Sequence, residues 1–414
     1  MSRESQTVLN GKPVEPALPG KLPDSLRSEL VAFRRDLHMH PELGHQEFRT
    51  TAAIKARLEK AGLRPRVLKT GTGLICDIGS WDGVRPMLAL RADIDALPIP
   101  DAKTNVPYRS TVPDRAHACG HDVHTTTVLG AGLVLAKLHG QGLLPRPVRL
   151  LFQPAEEVLP GGASDAIASG VLDGVGQMIA VHCDPRVDAG RIGLRPGPIT
   201  SACDRLEITL SGAGGHTARP HLTTDLVTAA ARMAVDLPAL LARRMDTRSG
   251  LAVTWGKIAS GHACNVIPMT AELAGTVRCL DLNAWHEAPD LIHAAIDELA
   301  TLHRAKSAIN YVRGVPPVVN DPVVTELLRD AMAARRGVHA VEDTEQSLGG
   351  EDFSWYLEQV PGAMARLGVR TPGDTVKRDL HRGDFDVDES AIAVGVELFT
   401  AAALLDGRRA RPVG

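Results

Sequence analysis

Cys119-Gly120-His121 places a thiol and an imidazole two residues apart. Both can face one ion, and the glycine between them lets the backbone turn closely. The same three residues also suit a buried thiol beside a helix-capping histidine, or a catalytic Cys–His pair. Glu156-Glu157 sets two carboxylates side by side after an apolar run. Neighbouring carboxylates repel unless a cation lies between them, so one can ligate while the other stays free as a base. A solvated acidic turn is the plainer alternative. His182 follows four apolar residues and His381 stands in a loop after Leu380; each alone reads as readily as a structural histidine. His38, His40 and His45 show no partner pattern.

If these groups converge, they form two ligand sets. Cys119, Glu157 and His381 would hold one ion; Cys119, His121 and His182 would hold the other, with the thiolate bridging. Two divalent ions about 3.5–4 Å apart orient a water, lower its pKa and polarise a carbonyl. Glu156 would then take the water's proton and pass it to a leaving amine, with no serine nucleophile required. Mixed thiolate, imidazole and carboxylate ligands suit zinc, with manganese, cobalt and nickel open.

The elements that must position these residues can be read from periodicity. A helix starts at Asp24 or Ser25, carries Leu26, Leu30, Phe33 and Leu37 at helical spacing, and stops at Pro41. A second is expected over 47–61, ended by Gly62. Short apolar runs at 87–91, 148–152 and 178–181 then alternate with helical stretches, including one from Asp122 to Gly140. This is the grammar of an α/β layer with a mostly parallel sheet. In such sheets sites form at the carboxyl ends of strands, which is where Asp93, Asp95, Glu156, Glu157 and His182 fall. From about 201 to 313 the order becomes β-α-β-β-α-β, with strands near 206–210, 251–258, 269–277 and 307–312 and helices near 224–242 and 284–303. That is a ferredoxin-like unit inserted into the first layer. The division expected is an N-terminal arm over 1–23, a catalytic domain of 24–200 with 314–414, and an inserted domain over 201–313.

The 414 residues exceed one ordinary core. A hydrophobic share of 44% and a charged share of 23% read as globular and soluble. No apolar run reaches the roughly 20 residues of a membrane helix, and no secretory signal is evident. A net charge of -3 without a basic patch argues against nucleic acid. Six scattered cysteines are too few for a disulfide scaffold and read as mostly buried thiols in a cytoplasmic protein.

Together these residues resemble the M20 metallopeptidase family, and within it the aminoacylase-like amidohydrolases: hippurate hydrolases, bacterial N-acyl-amino acid deacylases and plant auxin-conjugate hydrolases. The matching stretches are Arg35-Asp36-Leu37-His38 with Pro41-Glu42, Leu90-Arg91-Ala92-Asp93-Ile94-Asp95-Ala96-Leu97-Pro98, His117-Ala118-Cys119-Gly120-His121-Asp122 and Phe152-Gln153-Pro154-Ala155-Glu156-Glu157. Gly214-Gly215-His216, Asn265-Val266-Ile267-Pro268, Gly275-Thr276-Val277-Arg278, Gly350-Glu351-Asp352-Phe353 and Leu380-His381 follow in order, so the resemblance spans about 24–405. It implies a metal-dependent aminopeptidase-like catalytic domain, a mostly parallel central sheet flanked by helices, with a ferredoxin-like α+β lid used for dimerisation. It gives ligand roles to Cys119, His121, Glu157, His182 and His381, and the general base to Glu156. Asp95 matches an acid that supports a metal-site histidine. His216 resembles a lid histidine that reaches a partner subunit's site and stabilises the oxyanion, with Asn265 beside it. Arg278 resembles an arginine that binds the substrate's carboxylate.

The resemblance therefore implies cleavage of a small N-acyl amino acid, hippurate-like or N-acetyl-like, by two divalent ions in a homodimer or homotetramer. Departures lie at His45-Gln46, where relatives carry an aromatic and an acid, and at His381-Arg382-Gly383, where a small residue and proline are common. With an aromatic content of 3%, these bear on the acyl pocket rather than the metal chemistry. Two other readings compete. A dipeptidase of the same fold would need an acid for the free amino group, such as Glu351 or Asp352. A non-catalytic binding or redox-sensing protein would use the Cys119 thiolate, but would have no need to keep Glu156.

Overall fold

The first helix forms where its apolar spacing predicts, over Asp24–Met39, and buries Leu30 and Leu37. The same face also buries Arg34 and His38, which apolar periodicity does not anticipate. The second, Phe48–Lys60, is anchored at its start by Glu42, whose carboxylate accepts from the Arg49 and Thr50 backbone N–H groups at 3.0 and 2.7 Å. The computed structural model describes residues 21–405 apart from Pro160 and Lys377. Most of the expected N-terminal arm lies outside the described residues; of its last three, Leu22 is buried.

Eight strands form the main sheet. At its centre Met87–Asp93 runs parallel to Val148–Gln153 on one side and to Val175–Asp188 on the other, and Gly362–Arg370 continues the parallel set. These strands are buried on both faces, which is why they read as unbroken apolar runs. Leu88, Leu90 and Ala92 point to one layer, with the helices His121–Gly140, Pro322–Arg336 and Ser390–Leu405. Met87 and Ala89 point to the other, against Ala163, Ala166, Phe353 and Tyr356. The two helices His121–Gly140 and Ser390–Leu405 are buried nearly all round, so neither shows a strong apolar stripe.

The third strand runs well beyond the expected 178–181. His182, Asp184 and Arg186 interrupt its apolar run, yet pairing with the neighbouring strand continues to Arg370 opposite Asp188. Leu74–Ile78, which the sequence reading left out, pairs antiparallel to Val148–Gln153 near the sheet's edge.

The ferredoxin-like order is found. Four antiparallel strands lie in the order Ala252–Ser260, Thr270–Arg278, Cys203–Ser211, Lys306–Val315. Helices Leu226–Arg244 and Leu282–Leu302 pack on them over a separate core that includes Leu206, Ile208, Leu237, Leu273 and Ile292. Asp225 and Asp281 cap the two helices, accepting from Thr228 and Ala284 N–H. A short ribbon, Gly215–His216 paired with Val266–Ile267, projects from this layer. No helix among the described residues is long and apolar enough to cross a membrane.

Candidate metal centre

The carboxyl ends of the parallel strands bring the predicted groups to one place. Met87–Asp93 leads into Asp95, Val148–Gln153 into Glu156-Glu157, and Val175–Asp188 carries His182. The turn before His121–Gly140 supplies Cys119 and His121. Gly120 there has φ +85°, and a Cβ on it would lie 2.7 Å from Cys183 Sγ. The position therefore requires glycine on both conformational and steric grounds.

Donor atoms of Cys119, His121 and His182 lie within 4.8 Å of one another, and so do those of Cys119, Glu157 and His381. The two triads share Cys119, whose Sγ is 3.5 Å from His182 Nε2. His121 Nε2 is 3.7 Å from Glu157 Oε1, and His381 Nε2 is 3.5 Å from the same oxygen. Glu156 Oε2 is 3.8 Å from His121 Nε2. Cys119 and His121 are buried, whereas His381 stands exposed at the mouth.

The donor set fits divalent cations. His121 Nε2 and Glu157 Oε1 are buried without hydrogen-bond partners, an arrangement that costs about 1–3 kcal/mol per group unless something fills it. Two of the three candidate ligand histidines, His121 and His182, are oriented by their other nitrogen. His182 Nδ1 donates to Cys183 O at 2.8 Å, and His121 Nδ1 lies 3.0 Å from Asp95 O and 3.3 Å from Asp95 Oδ1. The field is strongly negative. Burial opposes charge on His121, yet Asp93, Asp95 and Glu157 raise its pKa to about 10. Burial, then Glu157 and Glu156, push the Cys119 thiol well above its usual range. Burial, then Glu351 and Glu157, raise Glu156 in the same way. A cation among these groups reverses each of the last two shifts.

Asp93 borders the site, with its Oδ2 3.8 Å from His121 Nε2, but both its oxygens are already engaged. Its Oδ1 accepts from His124 Nδ1 at 2.6 Å and its Oδ2 from Arg91 Nη1 at 2.7 Å, while His124 Nε2 accepts from Cys183 N at 2.8 Å. The buried Arg91 also donates to Gln153 Oε1 at 2.9 Å and Asp352 Oδ1 at 2.8 Å, and pairs with Glu351 at 3.0 Å. Through Glu351 and Asp352 this web reaches Glu156, the donor atoms of the three lying within 4.8 Å of one another. Glu47 Oε1 accepts from Ala155 N at 2.7 Å and steadies the turn before the two glutamates. Ala155 and His381 both have positive φ, 58° and 62°, strain of the kind that collects at functional positions.

Sequence reading missed several supports. His38 lies 2.6 Å from Asp122, which also pairs with Arg34 at 2.7 Å, tying the first helix to the start of His121–Gly140. His124 and Glu47 carried no spacing signal either. Arg366 had one: a charge inside the buried run of Gly362–Arg370.

A cleft of about 410 Å³ opens over the cluster, lined by Cys119, Glu156, Glu157, His182, Glu351, Arg366 and His381 among others. Arg278 also lines it and donates from Nη1 to Leu348 O. His216 and Asn265 are not brought to this cleft within the chain. Both are exposed, on and beside the projecting ribbon, where Asn265 O accepts from Thr217 N at 3.2 Å. The six cysteines are free thiols; Cys76, Cys119, Cys183 and Cys279 are buried, Cys203 is half-buried and Cys264 is exposed.

Fold and donor set together define an α/β protein with a candidate two-metal site at the carboxyl ends of its parallel strands. The chain belongs to peptidase family M20/M25/M40, whose profile matches residues 89–405. It is 40% identical to the N-acetyl-L-cysteine deacetylase of Bacillus subtilis (strain 168) over 369 residues, 89% of this chain and 86% of that protein. It is 47% identical over 378 residues to a Rhodococcus jostii (strain RHA1) protein named "Putative glutamate--cysteine ligase 2-3"; the match covers 91% of this chain but 47% of that relative, about half its length. Among solved structures, a Bacillus subtilis dinuclear metal binding peptidase of the M20 family superposes with a TM-score of 0.81 at 31% identity, covering 94% of this chain and 100% of that one. The protein is accordingly an amide-hydrolysing enzyme of this family, with two donor triads that could each hold a metal ion.

Proposed function

We propose that the protein hydrolyses N-acyl amino acids, releasing a carboxylic acid and an amino acid. The observation that carries this reading is the pair of donor triads sharing Cys119, with Glu156 opening onto the same cleft. Cys119, Glu157 and His381 on one side, and Cys119, His121 and His182 on the other, would hold two divalent ions, zinc or manganese, that supply Lewis acidity and acidify water. Glu156 takes the proton from the attacking water and delivers it to the departing amine. Asp95 positions His121 through its Nδ1. Arg278 pairs with the substrate's α-carboxylate, for which its planar fork is suited.

Residues 201–313 act as a lid and dimerisation domain in this proposal, with 24–200 and 314–414 as the catalytic domain. Exposed His216 and Asn265 then serve the cleft of a second copy, donating hydrogen bonds to the developing oxyanion. The edge strand Ala252–Ser260, paired on one side and largely exposed, suits a homodimer contact, and a tetramer would be built from such dimers. Six free thiols fit a cytoplasmic setting.

The dipeptidase reading is less well supported. Glu351 and Asp352, its candidate ammonium acceptors, are engaged by Arg91, and Asp352 also accepts from Gln153 and from Ala163 N. The test is amine release from N-acetyl, N-benzoyl and indole-acyl amino acids and from dipeptides, after chelation and with manganese, zinc, cobalt or nickel restored. Metal-restored cleavage of acyl amino acids is expected. Cleavage of dipeptides alone would establish the alternative substrate class, and no cleavage of either would overturn both.

A further inference from the structure

Arg366 is a guanidinium with no close acidic partner among the described residues. It sits on Gly362–Arg370, opposite His182 in the parallel register, and is 4% exposed. Its flanking residues Ala365 and Leu367 point into the helical layer, so Arg366 points to the other face, where the carboxyl end of the sheet opens into the cleft. Its Nε is buried with no hydrogen-bond partner, and Nη2 reaches Ile199 O at a long 3.5 Å. The two acids whose fields act on it are committed elsewhere. Asp184 accepts from Arg186 Nε and Nη2 at 3.0 and 2.7 Å, and Glu351 pairs with Arg91 at 3.0 Å. Burial weakens the hold of Arg366 on its proton, despite the fields of Asp184 and Glu351. A buried charge left in this state is retained at a cost, and a ligand that pairs with it recovers that cost.

Resting on the reading of this cleft as an N-acyl amino acid site, we propose that Arg366 binds a second carboxylate of the substrate, so that the preferred substrates are N-acyl amino acids with one acid group beyond the α-carboxylate. The cleft then carries two forks, Arg278 for the α-carboxylate and Arg366 for the second acid, each matched to planar bidentate recognition. Among the described residues its lining holds no Phe, Tyr or Trp to stack on a benzoyl or indolyl acyl group, and about 410 Å³ suits a small dicarboxylate. The second acid can belong to the acyl group, as in a succinyl or glutaryl amide, or to the amino acid side chain, as in an acylated glutamate.

The experiment compares acids with neutral isosteres on the metal-loaded, full-length enzyme. N-glutaryl-alanine is set against N-pentanoyl-alanine for the acyl arm, and N-acetyl-glutamate against N-acetyl-glutamine for the side-chain arm. In one arm kcat/KM should favour the acid by about 100-fold, the scale of a desolvated charge pair. Arg366→Met should collapse that ratio toward one, chiefly through KM, and Arg366→Lys should recover part of it. Equal rates for acid and neutral partners in both arms of the wild-type comparison overturn the proposal whether or not the variants fold. So does a ratio that survives in folded Arg366→Met. If no acyl amino acid is cleaved, the hydrolase reading fails separately. Calorimetric titration with glutarate against butyrate then decides the carboxylate site: tighter glutarate binding that is lost in Arg366→Met sustains it, and equal binding overturns it.

Discussion

One carboxylate, Asp95, touches two of the proposed ligands at once: its Oδ1 lies 3.3 Å from His121 Nδ1, and its Oδ2 accepts from the Glu157 backbone N–H at 2.9 Å. It therefore sets the direction of an imidazole and the backbone carrying a carboxylate. Asp95→Ala should weaken metal affinity by roughly 10–100-fold while leaving all five donors in place. Metal titration of chelator-stripped protein checks this; unchanged affinity would show that His121 is oriented by the Asp95 carbonyl alone.

Glu156 opens onto the cleft but is in neither triad that shares Cys119. Glu156→Gln should lower kcat by about 10²–10⁴-fold, the usual contribution of a general base, with metal content intact. Turnover near the wild-type rate would remove the base assignment.

Cys119 is common to both triads. Cys119→Ala should therefore deplete both metals together, read by elemental analysis after dialysis. Two metals retained per chain would sink the bridging role.

Gly120 holds φ +85°, with Cys183 Sγ and Cβ at 2.7 and 3.0 Å from where a side chain would begin. Gly120→Ala should cost about 1–3 kcal/mol from strain and overpacking. Urea unfolding measures it, and a midpoint equal to wild type would contradict the steric account.

Glu47 supplies a pH dependence. Burial raises its carboxyl from 4.5 to about 7, although it accepts from Ala155 N. The folded state thus keeps a proton that the unfolded chain has already lost. Stability from this group falls as pH rises from about 4.5 to about 7, and the penalty is constant above that. Glu47→Gln keeps an acceptor for Ala155 N and removes the titration. Its stability relative to wild type should rise across that window and then level off. A pH-independent difference would mean that Glu47 does not titrate there.

The candidate donors were legible because their chemistry is local. Cys119-Gly120-His121 and Glu156-Glu157 each sit within a few residues, and strand ends predict where such groups gather. Their support was not. His38 reaches Asp122 across 84 positions, and Arg91 reaches Asp352 across 261. Charges at these distances leave no periodic trace, because what fixes them is the three-dimensional approach of separate elements. The long strand Val175–Asp188 was underread for a related reason: its polar residues look like a loop until the pairing of Gly362–Arg370 supplies their hydrogen bonds.

The sequence by itself determined the alternation of elements, the inserted β-α-β-β-α-β unit and the residue types able to hold two metals, since periodicity and short motifs are properties of neighbours along the chain. Tertiary structure alone decided that five donors from four segments meet as two triads through one thiol. It also decided that Asp93 bonds to Arg91 and His124, and that Arg366 lines the cleft with its Nε unpartnered among the described residues. Those outcomes depend on which buried charges pair across the sheet, and burial makes each pairing, or its absence, a matter of packing rather than of composition.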